Sequence, residues 1–202
     1  MRPVTIGVLS YQGTVMEHIQ ALSKLEGVTP MEVKTLLALE AVDGLILPGG
    51  ESTTIAKLLD IFELMEPLRK RILQGMPVWG TCAGEILLAK EIVGEQHHLA
   101  VMDLTVRRNA YGRQIDSFTE YAPIHGISET PVELVFIRAP WIEAVGEKAQ
   151  VICRVNGHAV AARQDNMLAT SFHPEFTHDL TVHRWFTKEV ERRKYDDPFL
   201  NN

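Results

Sequence analysis

The stretch Met76-Pro77-Val78-Trp79-Gly80-Thr81-Cys82-Ala83-Gly84-Glu85-Ile86-Leu87-Leu88-Ala89-Lys90 decides how the chain is read. A short apolar run ends at Gly80, and a helical pattern starts just after Gly84. Cys82 is thereby predicted on a strand-to-helix turn between small residues. This is the pattern of a nucleophile elbow, which pushes a side chain out at the top of a sheet. The next backbone N–H can then stabilise an oxyanion. A thiol at a helix N-terminus has its thiolate favoured by the helix dipole. A free cysteine on such a turn is either a nucleophile or a small buried hydrophobe.

Working outward, residues 4–9 form a short apolar strand of the kind buried in a parallel sheet. A helix follows Gln12-Gly13, with Val15, Ile19 and Leu22 at helical spacing. A strand is predicted at 31–34, a short helix or loop at 35–42, and a third strand at 44–47, closed by Pro48-Gly49-Gly50. Glu51-Ser52-Thr53-Thr54 opens another helix, and 65–74 reads as helical. Strands alternating with helices imply right-handed crossovers and a mostly parallel sheet. After residue 97 the pattern changes. Residues 98–106 and 114–121 look extended, and 132–137 reads as a buried strand. Residues 151–155 and 158–163 flank Asn156-Gly157, a hairpin signal. A turn at Asp165-Asn166 leads into 167–172, and a last helix packs through Trp185 and Phe186. Residues 1–195 are read as one domain and 196–202 as a loose tail.

The chain has 202 residues, 46% hydrophobic and 23% charged, which suits one globular domain with a full core. A net charge of −6 without a basic block argues against nucleic acid and anionic membranes as partners. Two cysteines, Cys82 and Cys153, make no disulfide framework and suit a reducing cytoplasm. The run at 4–9 is read as a strand rather than a signal peptide, and no run approaches a membrane span. The eight histidines show no metal-ligand spacing, so neither metal nor cofactor is expected.

Two further stretches carry chemistry. In Thr170-Ser171-Phe172-His173-Pro174-Glu175, a strand end would put His173 and Glu175 on one face. A carboxylate beside an imidazole fixes its tautomer and steadies the imidazolium, the third-group role of a triad. By itself the tripeptide also reads as a surface loop. Leu47-Pro48-Gly49-Gly50-Glu51-Ser52 lies where open α/β sheets bind ligands. Its N–H groups could supply a second oxyanion donor at Gly50 beside that of Ala83, although Pro-Gly-Gly also makes plain turns.

Gly80-Thr81-Cys82-Ala83-Gly84, Pro48-Gly49-Gly50-Glu51-Ser52 and His173-Pro174-Glu175, in this spacing, resemble the triad (class I) glutamine amidotransferases. Residues 42–54, the segment Arg108-Asn109-Ala110-Tyr111-Gly112-Arg113-Gln114, Phe136-Ile137-Arg138-Ala139-Pro140 and 171–175 narrow the resemblance. They are similar to the glutaminase subunits of pyridoxal 5′-phosphate synthases, over residues 4–190. The resemblance implies a three-layer α/β sandwich of flavodoxin-like type, with a mostly parallel sheet and an antiparallel C-terminal extension. It implies hydrolysis of L-glutamine to L-glutamate and ammonia, with Cys82 as nucleophile, His173 as base and Glu175 as its orienter. Gly49, Gly50, Glu51, Ser52, Arg108, Ile137 and Arg138 would hold glutamine. Arg108 suits the substrate carboxylate, which a guanidinium pairs bidentately, and Arg107 reads as an ordinary surface arginine. Gln12, just after the first strand, also faces the site in this reading. The implied partner is a (β/α)₈-barrel synthase subunit in a large hetero-oligomer, receiving ammonia through a face around the Cys82 pocket.

One residue departs from the family pattern. Glu85 stands where the family usually carries an apolar residue, and it is expected to face solvent or the partner. A carboxylate facing the site would instead work against the thiolate. Alternative readings are the glutaminase of another biosynthetic amidotransferase, a cysteine peptidase-like hydrolase, and a catalytically silent binding subunit. Only Glu85 supports the last.

Overall fold

In the third strand, β3 (Gly44–Leu47), Leu45 and Leu47 pack into one apolar cluster and Ile46 into another. Successive side chains of a strand point to opposite faces, so the sheet is buried on both sides and the fold has three layers. The structure is a computed structural model describing residues 2–108 and 117–196. On the Ile46 side lie Leu22 of α1 (Val15–Ser23) and Val182, Phe186 and Val190 of α6 (Thr181–Asp196). The other side is covered by α2 (Leu36–Glu40), α3 (Ser52–Ile61), α4 (Met65–Leu73) and α5 (Ala83–Leu88), through Leu39, Leu59, Leu68 and Leu87.

The parallel half of the sheet joins β1 (Val4–Leu9), β2 (Val28–Val33), β3, β4 (Val78–Thr81) and β12 (Met167–Thr170), in the spatial order β2-β1-β3-β4-β12. Beyond β12 the order continues antiparallel through β11 (His158–Gln164), β9 (Trp141–Val145) and β6 (Met102–Arg107). The edge strand β5 (Ala89–Ile92) pairs with β6 in parallel, and β10 (Gln150–Val155) forms the expected hairpin with β11. A separate hairpin joins β7 (Ser117–Ile124) to β8 (Ser128–Ile137).

The expected three-layer architecture with its antiparallel extension is present, with local differences. β2 begins earlier than predicted, because its pairing with β1 starts at Val4 opposite Val28. The helix after the elbow is only six residues long, and the chain turns at Ala89 into the unpredicted β5. Ala-Lys-Glu-Ile has weak strand propensity, and pairing with β6 recruits it. Asp196, expected in the tail, closes α6 and takes both its oxygens to Arg2 Nη2 at 2.8 Å. Residues 197–202 lie outside the described residues. Among those described, no helix is long and apolar enough to cross a membrane.

Candidate active site

Parallel strands bring their carboxyl ends to one edge of the sheet. There the loops after β1, β3, β4 and β12 deliver Gln12, Gly49–Ser52, Cys82 and His173. Cys82 has φ 49° and ψ −101°, an uncommon conformation for a residue with a side chain. Strain of this kind costs on the order of 1–3 kcal/mol and must be held by its surroundings. The Cys82 N–H donates to Thr170 O at 2.8 Å, and the Ile86 N–H donates to Cys82 O at 3.3 Å. A Cβ on Gly84 would lie 2.0 Å from Leu47 O, so glycine lets α5 start directly against β3.

His173 and Glu175 meet, but not along a strand. β12 ends at Thr170, and Pro174–Phe176 makes a single 3₁₀ turn that folds Glu175 back beneath the imidazole. His173 Nδ1 lies 2.8 Å from Glu175 Oε1, which also accepts the Thr14 hydroxyl at 2.7 Å. Cys82 and this imidazole line the same cleft. The backbone of Gly49 packs closely against the ring, where a Cβ would come within 2.3 Å of His173 Cε1. Burial disfavours the Glu175 carboxylate, yet His18, His173 and Thr14 outweigh it and hold its pKa at about 2. Burial likewise opposes the His173 imidazolium, but Cys82 and Glu175 raise its pKa to about 10. The array is built to hold an imidazolium between a thiol sulfur and a carboxylate.

A cleft of about 380 Å³ opens above these groups. Its walls include the sequence-predicted Gln12, Gly50, Glu51, Ser52, Cys82, Arg108, Ile137, Arg138 and His173. Gly49, Ala83 and Glu175 sit behind the wall. Thr14, Ile86, Pro140 and Phe176 also line it and were not singled out from the sequence. Thr14 had one signal, its place between a strand and a helix beside Gln12-Gly13. The side-chain oxygen of Gln12 accepts the Glu51 N–H at 2.8 Å and braces the Gly50–Glu51 backbone. Arg108 bonds Glu51 Oε1 at 2.5 Å and Glu95 Oε2 at 2.8 Å, so two carboxylates hold its guanidinium at the cleft. Arg107 pairs with Glu143 on the surface, as expected of an ordinary surface arginine. Arg138 has φ 42°, turning the chain sharply at the end of β8. Asn109–Gln114 of the arginine-rich segment lie outside the described residues.

Glu85 corrects the sequence reading. It faces neither solvent nor a docking surface but is fully buried, with Ser171 Oγ 3.2 and 3.0 Å from its two carboxyl oxygens. Burial raises its pKa to about 8, against a smaller opposing effect of Ser171. Near neutral pH it is therefore mainly an uncharged acid and sets little negative charge against a thiolate. Because the unfolded chain ionises Glu85 first, near its ordinary 4.5, its contribution to stability is full below that value and falls as pH rises toward 8. The loss at pH 7 is on the order of 3 kcal/mol. We expect Glu85→Gln, which keeps a partner for Ser171, to flatten this decline. Melting temperatures from pH 5 to 8 measure it, and an unchanged slope would place the titration elsewhere.

With this geometry in hand, the similarity to known proteins is specific. The model of the SNO glutamine amidotransferase family matches residues 8–192. A pyridoxal 5′-phosphate synthase subunit PdxT from Ruminiclostridium cellulolyticum is 52% identical over 186 residues, covering 92% of this chain and 98% of that protein. The same-named subunit from Nocardia farcinica is 54% identical over 194 residues, covering 92% and 85%. A crystal structure of a glutamine amidotransferase superposes with a TM-score of 0.87 at 44% identity, covering 92% of this chain and 98% of that one. The elbow cysteine, the His-Pro-Glu turn and the glycine loop thus meet in one cleft, on a chain whose relatives carry this name along nearly their whole length. The chain belongs to the SNO glutamine amidotransferase family.

Proposed function

We propose that this chain is the glutaminase subunit of a cytoplasmic pyridoxal 5′-phosphate synthase. Residues 1–195 act as one domain that hydrolyses L-glutamine to L-glutamate and ammonia and delivers the ammonia to a partner synthase subunit. The observation that supports this most is the His173 imidazole, 2.8 Å from Glu175 Oε1 and lining the same cleft as Cys82.

The Cys82 thiolate attacks the carbon of the glutamine side-chain amide. The oxyanion that forms is met by the N–H groups of Ala83, which starts α5, and of Gly50. His173 gives its proton to the departing nitrogen, which leaves as ammonia, and a glutamyl thioester remains on Cys82. His173 then takes a proton from water, whose hydroxide attacks the thioester and releases glutamate and the thiolate. Glu175 stays ionised and steadies the imidazolium throughout. Arg108 and the backbone at Ile137 and Arg138 hold the amino-acid end of glutamine, and Glu51 and Ser52 shape the wall beside it.

Ammonia made in an unpaired subunit would be lost to water, so control by the partner is expected. By resemblance the partner is a (β/α)₈ barrel in a large hetero-oligomer, docked around the mouth of the Cys82 cleft. Gly50 is a candidate point of control, because its backbone is held through the exposed side chain of Gln12. Losing one oxyanion donor costs about 10²–10³-fold in rate, and we expect a gain of that size when the partner docks. Glutamate release by the purified chain, with and without the synthase subunit, measures it. Equal rates would favour a free-standing amidase.

A further inference from the structure

A line of polar side chains runs from the cleft into the apolar core, and the reaction above leaves its inner half unused. Glu175 has a fully buried side chain and spends one oxygen, Oε1, on both His173 and Thr14. Its other oxygen, Oε2, is buried with no hydrogen-bond partner and lies 3.5 Å from His18 Nε2. His18 sits in α1, one turn beyond Thr14, and is fully buried. Its Nε2 is 3.3 Å from the Thr81 hydroxyl, and its Nδ1 is 3.0 Å from Nε2 of His183 on α6. His183 is also fully buried, and its Nδ1 has no partner. The Trp79 ring packs edge-on against both imidazoles, at 5.6 and 4.9 Å. Two imidazoles in such a core need a reason, since unsatisfied buried polar groups are costly.

The tautomers follow from counting protons. Burial favours the neutral form of both rings, so each carries one N–H. If His18 held its proton on Nδ1 and gave it to His183, then His183 would carry an N–H on its unpartnered Nδ1. His18 Nε2 could then accept from the Thr81 hydroxyl, but its lone pair would also face a carboxylate oxygen, which itself has no donor. If His18 instead holds its proton on Nε2, that N–H faces both the Thr81 hydroxyl at 3.3 Å and Glu175 Oε2 at 3.5 Å, and Nδ1 accepts from His183 Nε2–H. Only a lone pair on His183 is then left without a partner, which is the less costly omission.

We propose that His18, held in its Nε2–H tautomer by His183, is a positioning residue that fixes the Glu175 carboxylate through Oε2 and so sets the angle of the His173 imidazole. This rests on the reading of Cys82, His173 and Glu175 as the reacting triad. A shift of about 0.5 Å brings the His18–Glu175 contact into ordinary hydrogen-bond range.

Two measurements test it. In the wild-type chain with ¹⁵N-labelled histidine, two-bond ¹H–¹⁵N spectra at neutral pH should show His18 neutral and protonated on Nε2. A proton on Nδ1, or on both nitrogens, overturns the proposal without reference to activity. In the complex with the synthase subunit, His18→Phe should lower kcat for glutamate release about 10- to 100-fold, the size of one hydrogen bond to a charged group. KM should stay roughly unchanged. His18→Gln, whose amide N–H can stand near the Nε2 position, should recover most of the loss. In a Glu175→Gln background, His18→Phe should add little. A full additional loss there, or a rise in KM alone, shows a merely structural role. If His18→Phe does not fold, the tautomer and the recovery in His18→Gln decide, and a Gln variant with kcat reduced 10-fold or more counts against the proposal. Cys82→Ala, run alongside, reports on the triad reading alone.

Discussion

Cys82→Ala is expected to abolish glutamate release by the assembled complex, whereas Cys153→Ala should leave most of it. The two thiols differ in setting rather than in chemistry. Cys82 stands on a strained elbow and lines the cleft together with His173. Cys153 lies in β10 within the apolar cluster on the α6 side, where burial raises its pKa to about 11. A protonated thiol in such a place is a small hydrophobe. Removing the nucleophile of a triad leaves only the oxyanion donors and substrate binding, so the fall in kcat is expected to be on the order of 10⁶-fold. The check is steady-state glutamate production by each variant mixed with the synthase subunit. A well-folded but inactive Cys153→Ala variant would overturn the assignment.

Glu175→Gln is expected to lower kcat roughly 10³–10⁴-fold while the fold survives, by analogy with serine triads. The amide keeps the shape of the side chain but removes the charge that faces the imidazolium. It can also present N–H where His173 Nδ1–H needs an acceptor, and so favour the wrong tautomer. The Thr14 hydroxyl, which donates to the same oxygen, gives the carboxylate a second tie within the protein. Glutamate production and the melting temperature, measured together, separate lost charge from lost structure. A variant of nearly wild-type activity would mean that another group orients His173.

The local pattern around Cys82 was readable because each residue there answers to a local constraint. Val78 and Trp79 are strand residues buried on opposite faces, and Gly84 is needed where α5 meets the Leu47 carbonyl. The same holds for Gly49, whose missing side chain leaves room for His173. The i, i+2 spacing of His173 and Glu175 pointed to the right pair for the wrong reason, since a 3₁₀ turn and not a strand joins them. Glu85 shows the limit of such reading. A charged residue type at a helix start suggests solvent, and nothing in the neighbouring sequence reports that Ser171, 86 positions away, meets it in the core.

By itself, then, the sequence determined the alternation of strands and helices, the elbow, the glycine loop and most of the residues that line the cleft. These depend on φ/ψ preferences, side-chain periodicity and residue chemistry over a few positions. Tertiary structure alone decided the rest: the pairing of Arg108 with Glu51 and Glu95, the bracing of the Glu51 N–H by Gln12, the burial of Glu85, and the approach of His18 and His183 to Glu175. Each of these joins residues far apart in the chain. Their protonation and hydrogen bonding depend on how much water the packed layers exclude, which no local stretch of sequence encodes.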